Sequence, residues 1–551
     1  MSPAACSAPS THASAPPGRI RRLPTLLVAF IDRHERLCLL SAMAVFGFSA
    51  GYHASVRPLW FDEIFTALIS RLPSLRLMLQ AMPADGQPPL QYLLTHFSLH
   101  LFGISGLALR LPAILAYLLT GFLTWRIVRT HGTAVQSLFA VALVMGSTMS
   151  GLVLSGIALL DLSVTARPYQ MVLACAALAF FCWQKAAQLR DHRSVYLLGL
   201  SVAVAASVMS HHLALLNLGL FLAAGESTRL LRNRRPDLPM LAAIIAGALP
   251  LFLTVPLARR SHQLLGLPIL HSTNFWARPS LSDLGAFLIV APLWLSLIPA
   301  VMALLSPPPS AATKESTLPP VPRHEVAAAA ALALALLVQW CVSFVATGYF
   351  MPRYAAPAAL GLALLGAWWL PRFGRLRLVA QPVLAGLAVT YVAMVALALA
   401  TAQIRHPVQN ARPPEASQQL LSHAPADLPV VYANAFDYAS GWWYASPAQR
   451  SRMTYLSDLP YALRQPDFLP ELSLVLDRPW IPIQTNNYAP YLSEHPQFLL
   501  LQYQEVQAGW LTSRLSHAGW RFQQLARSSS AVLYRVSAPQ EASRQRPPAS
   551  R

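Results

Sequence analysis

Two carboxylates stand side by side at Asp62 and Glu63, in RPLWFDEIFTALISRL, shortly after the first apolar run. Adjacent acids repel each other and are costly beside apolar surroundings. They fit a general base or a metal ligand, and equally a solvated first turn of a helix, where acids are favoured. Trp60 and Phe61 set the pair among aromatics, and Ile64, Phe65, Leu68, Ile69 and Leu72 continue it as an amphipathic stretch suited to lying along a membrane. A further acid, Asp161, lies six residues before Arg167 in ARPY, where Pro168 suits a first helical turn and Tyr169 follows. The two either pair to order a loop or both belong to a site. Arg353, in MPRYAAP, opens a helix with Tyr349 and Tyr354 beside it, and is either a phosphate-sized anion's partner or a snorkelling interfacial arginine. His211 and His212 sit together at a helix junction, where one could hydrogen-bond a ligand or ligate a metal, or both could be structural. A metal needs convergent ligands that sequence spacing does not place here, so a divalent cation stays open.

The elements that must position these groups are membrane spans. The chain has 551 residues, of which 55% are hydrophobic and only 11% charged. A soluble domain carries about 25% charge, so this chain cannot solvate a globular surface of its size. Its net charge of +19 does not read as a nucleic-acid footprint, because arginines punctuate apolar runs instead of forming one patch. Eleven apolar runs are expected to span: 37–54, 107–128, 135–160, 168–184, 195–210, 211–225, 238–257, 284–305, 326–347, 355–370 and 378–401. Basic clusters before the first and after the second, fourth, sixth, eighth and tenth runs then all fall on one side. By the positive-inside rule that side is the cytoplasm. Residues 88–103 are apolar but short, and counting them would invert the pattern, so they are expected to form a re-entrant or interfacial helix on the outer face. Of the twelve carboxylates in the first 401 residues, only Asp62, Glu63, Asp85, Asp161 and Asp283 then lie outside.

The expected fold is an all-α polytopic membrane domain of about 11 transmembrane helices with outer-face juxtamembrane helices, followed by a small α/β extracytoplasmic domain. Residues 1–36 read as a basic, disordered cytoplasmic tail, 37–401 as the transmembrane catalytic domain, 402–540 as the outer domain and 541–551 as a disordered tail. In the outer domain, 428–434 and 530–536 read as strands and 505–518 as a helix. Tyr438, Trp442, Trp443 and Tyr444, in FDYASGWWYASP, are either a sugar-stacking platform or the core of a domain docked on the membrane.

The run GQPPLQYLLTHFSLHLFGISGLALRLPAILAYLL, together with the W-x-D-E at Trp60–Glu63, resembles the GT-C class of membrane glycosyltransferases. The similarity is to bacterial relatives of the dolichyl-phosphate-mannose protein mannosyltransferases and to the lipid A aminoarabinose transferases. TARPYQMVLACAALAFF (165–181), MSHHLALLNLGLF (209–221) and YFMPRYAAPAALGLALL (349–365) extend it over roughly residues 37 to 401. The resemblance implies transfer of a sugar from a polyprenyl-phosphate carrier to a glycan, lipid or protein acceptor at the outer face of the cytoplasmic membrane, with inversion. It implies Asp62 as general base on the acceptor hydroxyl, with Glu63 as its neighbour, and an arginine that holds the leaving phosphate. Arg353 with Tyr354 is the first candidate for that arginine, and Arg167 is the second. Arg110 reads as an ordinary helix-start arginine. Asp161, Tyr169 and His212 are candidate substrate contacts. Nucleic acid is not an expected partner, and membrane lipid is. Two other classes compete: a transporter or flippase of lipid-linked sugars, and a non-catalytic envelope assembly protein. The first would show matched halves with charges at mid-membrane, and the second would not need the adjacent acids.

Overall fold

A computed structural model describes residues 19–154, 164–281 (except 273 and 276), 320–369, 381–397 (except 391, 394 and 395), 419–465 (except 423), 468–503 and 510–539 (except 529). The chain opens with α1 (Arg19–Arg33) and α2 (Glu35–Val56). Three shorter helices follow: α3 (Phe61–Ser70), α4 (Leu75–Asp85) and α5 (Pro89–Phe102). Ser74 caps α4 by accepting from the Leu77 amide, and Gly86, at φ 78°, closes it in the left-handed conformation that lets a helix end sharply. At 14 residues α5 is too short for a straight crossing, which fits the expectation for residues 88–103.

Long apolar helices follow: α6 (Gly106–Arg129), α7 (Ala134–Leu154), α8 (Tyr169–Gln188), α9 (Arg193–Ser210) and α10 (Ala214–Asn233). Then come α11 (Leu238–Ala248), α12 (Leu251–Ser261) and α13 (Leu267–His271). After the 282–319 stretch the chain resumes with α14 (Arg323–Ala333), α15 (Ala335–Val342) and α16 (Pro357–Trp369). Among the described residues, α2, α6, α8 and α9 are each long and apolar enough to cross a membrane. Two bent pairs also qualify, one over Leu238–His271 with a 44° bend and one over Arg323–Thr347 with a 43° bend. The first bend falls at Pro250, which cannot donate to the ladder. The expected count of eleven is thus not reached within the described residues. The run 284–305 lies outside them, and 211–225 is extended into a helix that starts at Ala214 and ends at Asn233.

The two ends of this bundle differ chemically. At one end Arg129 pairs with Glu35, Arg193 and Arg229 with Asp237, and His131 with Glu325, which also accepts from Gln184 and Gln188. The other end carries Asp62 and its neighbours. Close helix approach is set by small residues. A Cβ on Gly361 of α16 would stand 2.4 Å from the Ala333 amide nitrogen and 2.6 Å from the Ala329 carbonyl oxygen of α14.

The C-terminal part is a six-stranded sheet built from β1 (Val430–Tyr432), β2 (Met453–Ser457), β3 (Thr485–Asn487), β4 (Gln497–Tyr503), β5 (Arg521–Arg527) and β6 (Ala531–Ser537). Its order is β3-β2-β1-β4-β6-β5. The first four strands are parallel, β6 is antiparallel to β4, and β5 and β6 form an antiparallel pair. The expected strands at 428–434 and 530–536 are β1 and β6. The expected helix 505–518 is seen as Trp510–His517, its first part lying outside the described residues.

Two helices of this unit, α17 (Ala435–Tyr444) and α18 (Leu469–Asp477), face the bundle. Phe61, Ile64, Phe65 and Leu68 of α3 share one buried core with Tyr432, Tyr438, Trp442 and Leu474. Phe436 packs against both Trp60 and Phe61, at ring distances of 5.4 and 5.2 Å, and the Leu59 amide donates to the Tyr444 hydroxyl at 2.8 Å. The 438–444 aromatics are therefore a docking core, and not an open platform for sugar.

Two outcomes follow from this packing. Gly361→Ala drives its methyl into the α14 backbone and lowers the melting temperature in detergent. Gly366→Ala, whose Cβ would meet only Phe139 at 3.7 Å, leaves it unchanged or raises it. Burial pushes Asp437 of α17 up to about 7. Its folded value lies above its unfolded one, so its stabilising contribution is complete at acid pH and is lost as pH rises through about 7. Asp437→Asn is accordingly expected to gain melting temperature over wild type at about pH 8 and not at about pH 4, as differential scanning fluorimetry across pH would measure.

Candidate functional site

The site begins with a fully buried ion pair. Arg110, in the first turns of α6, donates through Nε to Glu63 Oε1 at 2.7 Å and through Nη2 to Oε2 at 2.6 Å. Neither side chain has any exposure. The two carboxylate oxygens also accept the Ala166 and Trp60 amides, each at 2.9 Å. Arg110 spends its remaining donors on the Ala54, Arg57 and Pro58 carbonyls where the chain leaves α2. Glu63 has no free lone pair facing solvent. It is a structural keystone, and Arg110 is its partner and not an ordinary helix-start arginine.

The neighbours of this pair on each segment, Asp62 and Arg167, face each other. Asp62, one residue before Glu63, is 24% exposed in its side chain, and its Oδ2 lies 3.7 Å from Arg167 Nε. Arg167, one residue after Ala166, is nearly buried. Its Nη1 donates to Asp85 Oδ2 at 2.6 Å and to Thr66 Oγ1 at 3.3 Å, while its Nε makes no hydrogen bond among the described residues. Tyr92 of α5 donates its hydroxyl to the same Asp85 oxygen. Burial raises Asp85 above the ordinary carboxylate range, and the Arg167 guanidinium pulls against that rise.

A second cluster stands beside the first. The 3₁₀ turn Pro352–Ala355 carries Arg353, whose guanidinium lies over the rings of Tyr169 (5.2 Å) and Tyr354 (5.9 Å). Those rings are 5.7 Å apart, and His211 stacks on both, at 4.6 Å from Tyr354 and 6.0 Å from Tyr169. Asn217 and Gln339 fix the turn by donating to the Tyr354 carbonyl. No carboxylate among the described residues lies within ion-pair distance of Arg353, and its Nε makes no hydrogen bond. Asp62 and Arg167 are both close enough to act on it electrostatically. Next to it opens a mostly apolar cleft lined by Leu213, Leu216, Val342, Tyr349, Phe350 and Met351.

The structure thus brings Asp62, Arg167, Tyr169, Arg353 and Tyr354 together. His211, not His212, joins the ring cluster. Burial, then His212, Arg167 and Arg353, hold His211 down at about 3, so it is a neutral imidazole. His212 is held at about 4 by burial, and its Nε2 is buried without a partner. Asp161 lies outside the described residues. Sequence reasoning passed over Asp85 and Tyr92. The only signal for Asp85 was its membership of the short roster of outer-side acids. Among the described residues, no group of three or more His, Cys, Asp or Glu side chains is arranged to hold a metal.

The chain is similar to known proteins. A family model described as dolichyl-phosphate-mannose-protein mannosyltransferase matches residues 86–254, from Gly86 at the end of α4 into α12. ArnT from Cupriavidus metallidurans is similar over nearly the whole chain. The apo crystal structure superposes with a TM-score of 0.55 at 12% identity, covering 94% of this chain and 98% of ArnT. The complex with undecaprenyl phosphate gives 0.54 at 14% identity, covering 91% and 97%. No curated protein matches. The resemblance to GT-C class membrane glycosyltransferases that the motifs carry is the one that the fold and the family model return.

Because Glu63 and Arg110 are buried and mutually satisfied, removing one partner strands the other. Glu63→Gln and Arg110→Met are each expected to cost about 3–5 kcal/mol, and the double variant less than their sum. Thermal or denaturant unfolding of the four proteins in detergent measures the coupling.

Proposed function

We propose that this protein is a multi-pass glycosyltransferase of the cytoplasmic membrane that moves a sugar from a polyprenyl-phosphate donor to an acceptor hydroxyl at the outer face. The observation that carries the reading is Arg353. It is a half-buried guanidinium with no carboxylate partner among the described residues, held by two tyrosine rings and within the field of a partly exposed aspartate. A site that needed only structural charge balance would pair this arginine, as Arg110 is paired. An unpaired guanidinium suits the phosphate of such a donor. That ArnT, whose fold the chain shares, is seen bound to undecaprenyl phosphate supports this donor class.

In this reading the acceptor oxygen attacks the anomeric carbon and its proton passes to an Asp62 carboxylate oxygen. The bond between the anomeric carbon and the phosphate oxygen breaks on the opposite face, and its electron pair leaves with the lipid phosphate. One displacement inverts the anomeric centre. Arg353, with Arg167 at its side, stabilises the departing phosphate charge, Tyr354 and Tyr169 hold Arg353 in place, and Glu63 aligns Asp62 without touching substrate. Asp161 and a histidine, His211 by its position more than His212, complete the substrate contacts. The acceptor is a glycan, a lipid or a protein. The N-terminus lies in the cytoplasm, 37–401 is the catalytic membrane domain, and 402–540 is extracytoplasmic. A flippase or a scaffold leaves unexplained why Asp62 and an unpaired Arg353 converge.

The test uses protein in nanodiscs with undecaprenyl-phosphate-linked sugars and an envelope acceptor fraction. Asp62→Asn is expected to lower kcat by about 10²–10⁴-fold while donor binding persists. Arg353→Ala is expected to weaken binding of undecaprenyl phosphate itself by roughly tenfold or more. Undiminished transfer by Asp62→Asn overturns the base assignment, and absence of both binding and transfer in wild type overturns the enzyme reading.

A further inference from the structure

The last residue of α18 is a carboxylate that the fold leaves without a partner. Asp477 has no exposure, and both of its oxygens lack any hydrogen bond among the described residues. Buried polar groups are almost always satisfied, and an isolated buried carboxylate is among the costliest exceptions. Its position is well determined by packing. The helix that carries it lies on α4, the helix that ends at Asp85, and on the turn His262–Gly266. Three residues on, Trp480 packs against the cluster of Ile69, Met78, Met82 and Tyr92. Asp477 faces the Asp85–Arg167–Tyr92 set closely enough that each member of that set interacts with it electrostatically.

The surrounding groups do not explain it. Arg167, the nearest cation, spends Nη1 on Asp85 and Thr66 and turns Nε toward Asp62. Tyr92 gives its hydroxyl proton to Asp85. Asp85 repels Asp477. Gln87, two residues past Asp85, also has a buried Oε1 with no donor. A protein core would not assemble these acceptors without donors to meet them. Their free oxygens are complementary to a ligand that brings several O–H groups, as a sugar does. A carboxylate with two free oxygens can accept both hydroxyls of a neighbouring pair at once.

We propose that Asp477, delivered by the C-terminal α/β unit, is a specificity-determining residue of the Asp62–Arg167 site that accepts hydrogen bonds from hydroxyls of the donor sugar. The proposal rests on the donor reading above. Arg167 reaches Asp62 with Nε and Asp85 with Nη1, so the reacting end and the Asp477 end of the site lie along one guanidinium. Arg353 would hold the phosphate near Asp62, and the sugar's far hydroxyls would meet Asp477. The C-terminal unit would then be a part of the binding site and not an accessory.

Binding of bare undecaprenyl phosphate and of undecaprenyl phosphates bearing glucose, mannose, galactose or arabinose is measured in nanodiscs for wild type, Asp477→Asn, Asp477→Ala and Asp477→Glu. Asp477→Asn and Asp477→Ala are expected to weaken the sugar-bearing donor that wild type prefers by roughly ten- to hundredfold. They should leave bare undecaprenyl phosphate within about twofold of wild type and should not lower the melting temperature, since a buried carboxyl that makes no side-chain hydrogen bond among the described residues is being replaced. Asp477→Glu should recover part of the loss. Equal weakening of bare and sugar-bearing lipids, no weakening of either, or a lowered melting temperature in Asp477→Asn overturns the proposal. If wild type binds the bare lipid but prefers no sugar-bearing donor, Asp477 reads no sugar and the proposal falls while the phosphate site stands. If wild type binds neither, the donor reading falls first.

Discussion

The geometry of the site depends on the buried pair between Glu63 and Arg110. Its two oxygens and five N–H donors bring together four stretches of chain that are far apart in sequence: the exit of α2, the start of α3, the start of α6, and the residue before Arg167. Asp62 is covalently next to Glu63, and Arg167 is next to Ala166. The distance between the two reactive groups is therefore set one residue away, by a network that touches no solvent. A buried ion pair is weak evidence for net stability but strong evidence for a unique geometry when every lone pair and proton is matched, as here. It explains why two acids are adjacent. One holds the frame and the other is left free.

Arg353 shows the opposite arrangement with the same chemical group. Arg110 is saturated by a carboxylate and three carbonyls, while Arg353 is held by ring faces that orient its charge without neutralising it. Neutral His211 completes that wall without adding a charge. One guanidinium is neutralised and the other, half-buried, is not.

Much of this was legible in the chain. Asp62, Arg167, Tyr169, Arg353 and Tyr354 are charged or aromatic residues at the ends of apolar runs, and the resemblance to the GT-C class singled them out from the other outer-face charges. Helices α6, α8 and α9 were legible as apolar runs. What sequence could not supply was pairing over distance. Asp85 meets Arg167 across 82 residues, and nothing local at Asp85 records that. The division of labour between Asp62 and Glu63 depends on which face of α3 turns toward α6, a tertiary fact. His211 and His212 differ by one residue, and the turn between α9 and α10 decides which ring reaches Tyr354. In the C-terminal unit, β1 and β6 stood out as short apolar runs. The polar edge strand β5 carries RFQQLAR, and its pairing with β6 gives it a form that its composition does not announce.

The shared core between α3 and the sheet also sets an order of events. The bundle is synthesised first, and its α3 reaches the membrane with Phe61 and Phe65 lacking the cover that Phe436, Tyr438 and Trp442 later provide. That cover is made only after more than four-fifths of the helical sequence has left the ribosome, and β6, which completes the sheet's centre, comes almost at the end of the chain. Until then the aromatic face of α3 stays bare in the growing polypeptide.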